Sequence, residues 1–123
     1  MIYVTVDGDD IGNQLAQAFL NNDEDKLIQL DDDLQKAVAK LKEEMIKQGF
    51  ELLACGADGI TGKKETANFE LTMANIRKSV LPFTFSAGAG NSLAEAFMAL
   101  KYAKSKQKNR LCFWDGKTFQ IFS

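Results

Sequence analysis

The chain opens on IYVTV (Ile2–Val6), a β-branched and aromatic run that predicts a buried strand. Leu15–Leu20 has the composition of a short helix, and Asn21-Asn22-Asp23 then breaks the pattern and caps a second one. Along that second helix Leu27, Leu30, Leu34, Val38, Leu41 and Met45 recur at spacings of three and four, a continuous apolar stripe. Asp31-Asp32-Asp33 lies inside it. At about 100° per residue three consecutive side chains point in different directions, so most of this acid simply faces water.

Gly49 ends the helix, and FELLAC (Phe50–Cys55) reads as a second strand. GADG followed by ITGKK suits a tight hairpin, its glycines supplying the backbone freedom a turn needs. Glu65–Ser79 reads as helix with Phe69, Met73 and Ile76 inward, and FTFSAGAG (Phe83–Gly90) as a strand opening after Pro82. Ser92 caps a helix through Leu93, Phe97, Leu100 and Lys104, and LCFW and FQIF, joined by Asp115-Gly116, close the chain as a strand pair. A hairpin in mid-chain makes the sheet mixed or antiparallel. The expected class is α+β, one domain over residues 1–123, with helices packed on one face of the sheet.

Composition narrows the chemistry. A formal charge of −2 offers no general attraction for nucleic-acid backbone. No apolar run reaches the roughly 20 residues of a membrane span. Asp7 arrives too early for a signal peptide, and Cys55 and Cys112 sit in apolar runs as buried, reduced thiols; together these predict a cytoplasmic protein. With no histidine in the chain, Ser-His-Asp and Cys-His nucleophiles and the usual zinc sites are excluded. Carboxylates, lysines, backbone amides and a bound metal remain.

The densest candidate is VDGDDIG, directly after the first strand. Taken alone, such a cluster after a strand is more often a turn than a site. Asp7 and Asp9 share a side if the chain stays extended, and Asp58 at the hairpin tip approaches Asp7 if the two strands are neighbours. Two carboxylates about 4 Å apart repel by roughly 4 kcal/mol at an effective dielectric near 20, so a proton or a cation must come between them. Oxygen-only ligands select Mg²⁺ or Mn²⁺ over zinc. Gly8 and Gly12 allow backbone close to a phosphate. In ALKYAKSKQKNR, Lys104 and Lys108 stand four apart on one helix face with Lys101 near it, placed either as solubilising charge or to hold the outer phosphates of a triphosphate.

Together these segments resemble the nucleotide-polymerising palm of GGDEF-type diguanylate cyclases and of the polymerase-like subunit of type III CRISPR complexes. DGDDIG resembles the D-x-D-x-F-K segment, GADGI (Gly56–Ile60) the GGDEF hairpin, FTFSAGAG the V-T-x-S-x-G strand, and ALKYAKSKQKNRL the A-L-Y-x-A-K-x-x-G-R-N-x-V segment, with Ala99, Leu100, Ala103, Lys104 and Asn109 in register. Lacking regulatory or zinc-binding additions, the chain looks most like the minimal CRISPR polymerases, stand-alone palms of anti-phage operons. The resemblance implies a palm (ferredoxin-like, GGDEF-like) with a mainly antiparallel sheet. It implies Asp7 and Asp58 as catalytic, metal-bridging carboxylates, the Gly8 carbonyl as an auxiliary ligand, and Asp9 supporting or joining them. Backbone at Asp10, Ile11 and Gly12 would receive the triphosphate, Gly56 and Ala57 would border the nucleotide, and Lys104 and Lys108 would hold its distal oxygens. The implied reaction is two-metal joining of two nucleotides, ATP before GTP, into a cyclic dinucleotide. A homodimer brings two sites face to face, and the product is read by a separate membrane effector, with no direct contact to nucleic acid or membrane.

Three departures stand out: Ala57 replaces the second glycine, Gly59 replaces the second acid of diguanylate cyclases, and Lys108 replaces an arginine. Ala57 and Gly59 keep open a catalytically inactive palm that senses a nucleotide or only dimerises. A haloacid-dehalogenase-like phosphatase with Asp7 as nucleophile, or a phosphoacceptor receiver domain, would need a parallel sheet instead. A palm acting on a single nucleotide, by cyclising it or opening a guanine ring, is the remaining alternative.

Overall fold

In a computed structural model describing residues 1–123, the chain forms six strands and four helices. In order they are β1 (Ile2–Gly8), α1 (Ile11–Leu20), α2 (Glu24–Lys47), β2 (Glu51–Cys55), β3 (Gly59–Lys64), α3 (Phe69–Val80), β4 (Phe85–Gly90), α4 (Leu93–Lys106), β5 (Leu111–Trp114) and β6 (Phe119–Phe122). The strands make one mixed sheet in the order β2-β3-β1-β4-β5-β6. Every pairing is antiparallel except β4 with β5, which α4 connects as a crossover. The α+β class and the mainly antiparallel sheet are as the sequence predicts. Because β1 runs antiparallel to both its neighbours, the phosphatase and receiver readings, which need parallel strands there, are excluded.

Strand alternation divides the side chains between two unlike faces. Val4 and Val6 of β1, Ile60 of β3, Phe85, Ala87 and Ala89 of β4 and Leu111 of β5 pack with the stripe of α2 (Leu30, Leu34, Val38, Leu41, Met45) and with Met73, Ile76 and Val80 of α3 in a cluster of 20 buried residues. Asp23 caps α2 by accepting from the Lys26 amide at 3.0 Å. The three interior aspartates pair along their own helix, Asp31 with Gln35, Asp32 with Lys36 and Asp33 with Gln29.

The expected one-sided packing holds for α2 and α3, and for α1, whose Ile11 and Ala18 join the same cluster, but α4 lies on the opposite face. The cause is SAGAG. Ser86, Gly88 and Gly90 alternate with Ala87 and Ala89, and a Cβ on Gly88 would stand 2.2 Å from both the Ala96 carbonyl oxygen and the Leu100 nitrogen. One on Gly90 would stand 2.5 Å from Glu95 Cβ. The bare backbone of β4 lets α4 settle directly on it, over a small cluster of Ala99, Ala103 and Cys112. All six residues of β4 are therefore buried.

Other boundaries shift for local reasons. α1 starts at Ile11, before the expected Leu15, because Asp10 takes a left-handed conformation (φ 57°) that turns the chain directly into helix. β3 runs through Lys64, and Asn68 accepts from the Leu71 amide at 3.1 Å, so α3 begins at Phe69 and not at Glu65. Of the two cysteines expected to be buried, Cys55 at the end of the edge strand β2 is exposed, while Cys112 is buried, its thiol pushed up to about 11 by desolvation.

Candidate active site

β1 delivers its acids to the end of the sheet where α1, the β2–β3 turn and the last turns of α4 meet. Gly8 is required there: a Cβ would sit 2.5 Å from Ile11 Cγ1, blocking the fold-back of α1. After Gly8 the Asp9 amide bonds to the Thr84 carbonyl at 2.9 Å and the strand ends. The three aspartates then take three different paths.

Asp7 stays on the α4 face. Its Oδ2 accepts from Lys104 Nζ at 2.8 Å, and the same ammonium donates to the Gly8 carbonyl at 2.8 Å. A carboxylate and a carbonyl thus converge on one cation. Asp7 keeps 39% of its side chain exposed and Lys104 keeps 25%, so solvent screens the pair. The amine expected to hold distal phosphate oxygens rests, in this structure, between the two expected metal donors.

Asp9 turns inward and is 4% exposed. Oδ1 accepts from Ser86 Oγ at 2.8 Å, and Oδ2 accepts from Thr84 Oγ1 and from the Asn109 amide, both at 3.0 Å; Lys104 Nζ lies 3.6 Å from Oδ1. Asn109 has φ 63° and is itself gripped by Arg77, which donates to its carbonyl at 2.7 Å and its side-chain oxygen at 3.2 Å. Both oxygens of Asp9 are thus engaged by hydrogen bonds. A buried carboxylate ties β1, β4 and the α4–β5 turn together, and hydrogen bonds satisfy its charge. Thr84, Ser86, Asn109 and Arg77 were not identified as site residues from the sequence, although Thr84 and Ser86 alternate in a strand destined to lie beside β1.

Asp10 faces solvent and accepts from Lys108 Nζ at 2.6 Å. That hydrogen bond holds the Asp10 carboxyl below the usual carboxylate range, with the charges of Lys108 and Lys104 adding to it, and it holds the Lys108 ammonium above its ordinary range. Asp10 does not cap α1 with its side chain, and the first bond of that helix is from the Gln14 amide to the Asp10 carbonyl. The amides of Ile11 and Gly12 at the helix start therefore remain available to an anion; nothing lies within 4 Å of where a Gly12 Cβ would be. Lys101 lies 4.9 Å from the Phe97 ring centroid, outside this group.

The hairpin arrives from the other side. The Asp58 carbonyl accepts from the Gly8 amide at 2.9 Å, so the two backbones touch where Asp7 and Asp58 are neighbours. The Gly56 amide bonds the Gly59 carbonyl at 2.8 Å and closes the turn, while Ala57 and Asp58 are exposed. Gly59 has a packing reason. A Cβ would meet the Val6 carbonyl at 2.6 Å and Asp7 Oδ1 at 3.3 Å, so at this register the position excludes any side chain.

No three acidic or cysteine side chains cluster closely enough to hold a metal by themselves. The donors that do converge are all oxygens, one carboxylate and one backbone carbonyl already arranged around a cation, with the exposed Asp58 alongside. Such a set fits a hard divalent ion such as Mg²⁺.

A family model described as "mCpol: minimal CRISPR polymerase domain" matches residues 3–114. No curated protein matches the chain. Similar solved structures include a diguanylate cyclase/phosphodiesterase from Caldicellulosiruptor saccharolyticus, 13% identical with TM-score 0.65, covering 97% of this chain and 78% of that one. An EAL/GGDEF domain protein from M. capsulatus is 21% identical with TM-score 0.61, covering 93% and 84%. The guanylyl cyclase Cya2 is 10% identical with TM-score 0.55, covering 91% and 73%. At these identities the likeness is one of fold.

Proposed function

The chain belongs to the minimal CRISPR polymerase family, and from that premise we propose that residues 1–123 act as one nucleotidyltransferase palm joining two nucleoside triphosphates, ATP before GTP, into a cyclic dinucleotide that signals in anti-phage defence. The observation that carries the reading is the convergence of the Asp7 carboxylate and the Gly8 carbonyl, each 2.8 Å from one ammonium, beside the turn that bears Asp58.

In this reading Asp7, Asp58 and the Gly8 carbonyl hold Mg²⁺ or Mn²⁺, and Asp9 keeps Asp7 aimed from behind. When bound, the divalent ions promote ionisation of the acceptor ribose hydroxyl and offset charge on the departing pyrophosphate. The amides from Asp10 to Gly12 receive the triphosphate, with Gly56 and Ala57 bordering it. Lys104 and Lys108 exchange their carboxylate partners for its distal oxygens. Two palms face one another, because each site holds one nucleotide and a cyclic product needs two. No helix of the structure is long and apolar enough to cross a membrane; the proposed reader of the product is a separate membrane effector.

The test is incubation of the protein with ATP or GTP and Mg²⁺ or Mn²⁺, followed by mass spectrometry. The expected result is pyrophosphate with a cyclic dinucleotide, and loss of at least 100-fold in turnover for Asp58→Ala, the order of effect for removal of an electrostatic stabiliser. Nucleotide retained without pyrophosphate release would instead support the sensor, the reading that Ala57 and Gly59 keep open. A mononucleotide product would support single-nucleotide chemistry.

A further inference from the structure

Lys104 makes both of its short contacts to oxygens that the proposed function gives to a divalent ion, Asp7 Oδ2 and the Gly8 carbonyl, each at 2.8 Å. An ammonium and a divalent cation cannot share those oxygens, since like charges a few ångströms apart repel strongly. We propose that Lys104 is an exchangeable internal cation: it occupies the metal position in the nucleotide-free protein and yields it when a triphosphate offers its ammonium another anion. The inference rests on the reading that Asp7 and Gly8 hold a divalent ion.

The surroundings suit an exchange. Ala99, Leu100 and Ala103 are buried and fix the helix that bears Lys104, while the four-carbon stem lets the amine move without the backbone. The side chain is one-quarter exposed, so a path to solvent and phosphate exists. Asp9 Oδ1, 3.6 Å away and held by Ser86, keeps a negative charge beside the amine. Lys108, the second amine of this helix end, rests likewise on an acid of the β1–α1 turn, Asp10 at 2.6 Å. The consequence is coupling. Free metal must displace an ammonium before it binds, whereas metal arriving with a triphosphate finds that ammonium a new partner. Metal and nucleotide then bind with positive, reciprocal cooperativity.

The experiment measures Mn²⁺ binding to the full chain by electron paramagnetic resonance, with and without a non-hydrolysable ATP analogue. Lys104→Met is expected to bind Mn²⁺ alone about tenfold more tightly than the native chain, the scale of one lost charge-assisted competitor, and to show a smaller enhancement by the analogue. Adding Asp7→Asn to Lys104→Met should remove the gain. Lys104→Gln repeats the measurement with a polar side chain, which keeps the test available if the Met variant folds poorly. Equal or weaker Mn²⁺ binding by both Lys104 variants, with Asp7→Asn still abolishing binding, would overturn the exchange and leave the metal site standing. Mn²⁺ binding indifferent to Asp7→Asn in every background would overturn the site itself.

Discussion

The two faces of the sheet are built on opposite plans. Beneath α2 and α3, a cluster of 20 buried residues, most of them large aliphatic or aromatic side chains, fills the space between helix and strand. Beneath α4 the cluster shrinks to three small residues, and two glycines of β4 bring helix backbone against strand backbone. Burial on the first face supplies stability. On the second, close approach sets position: the Lys104 amine meets Asp7 and Gly8 because α4 rests on Gly88 and Gly90 with nothing between. The face that contributes less apolar packing carries the polar machinery.

Substitutions that act on one face alone separate the two plans. Leu41→Ala, at a fully buried position on the inner side of α2, should cost about 2–5 kcal/mol through lost contacts and a cavity, seen as a fall in denaturation midpoint, with nucleotide turnover little changed in the fraction that stays folded. Gly88→Ala should cost about 1–3 kcal/mol through overpacking and yet lower turnover far more than Leu41→Ala, since Ala96 and Leu100 must shift and take Lys104 with them. If Leu41→Ala harms turnover of folded protein as much as Gly88→Ala does, the division of labour is wrong.

Asp9→Asn probes the seam between the faces. The amide replaces one acceptor oxygen with a donor facing Ser86 Oγ or the Asn109 amide, so about 1–3 kcal/mol of stability should be lost. Turnover should fall with kcat more affected than KM, because Asp7 and the α4–β5 turn lose their common anchor. Unchanged stability would show that the carboxylate is not the anchor.

The smallest effect concerns Asp10, whose carboxylate occupies Lys108 at the solvent edge. Asp10→Asn should free that amine and remove a negative charge near the triphosphate, lowering the KM for nucleotide severalfold with kcat and thermal midpoint nearly unchanged. A raised KM would mean that the pair helps nucleotide binding as it stands.

Periodicity shows the first face more readily than the second. The stripe from Leu27 to Met45 and the Met73–Ile76 spacing announce buried helix surfaces, because large apolar residues at helical intervals have few other uses. The convergence of Asp7, the GADG turn and Lys104 was legible through the resemblance of three distant segments in the right order. The seat of α4 was harder to see. Its signal is a lack of bulk in alternate positions, Ser86-Gly88-Gly90, and only a strand covered on both faces gives that alternation meaning. The inward turn of Asp9 depends on Thr84, Ser86 and Asn109, which are 75 to 100 residues away in sequence, and so on tertiary register. Likewise the contacts of Lys104 with Asp7 and Gly8 join residues 97 and 96 apart in sequence, a register that no local residue pattern encodes.

The most direct measurement is a crystal of the protein with a non-hydrolysable ATP analogue and Mn²⁺, the metal located by its anomalous scattering. The account predicts a peak about 2.1 Å from an Asp7 carboxylate oxygen and from the Gly8 carbonyl, with Asp58 turned toward it and Lys104 moved onto phosphate. A peak elsewhere, with Lys104 still bonded to Asp7 and Gly8, would contradict it.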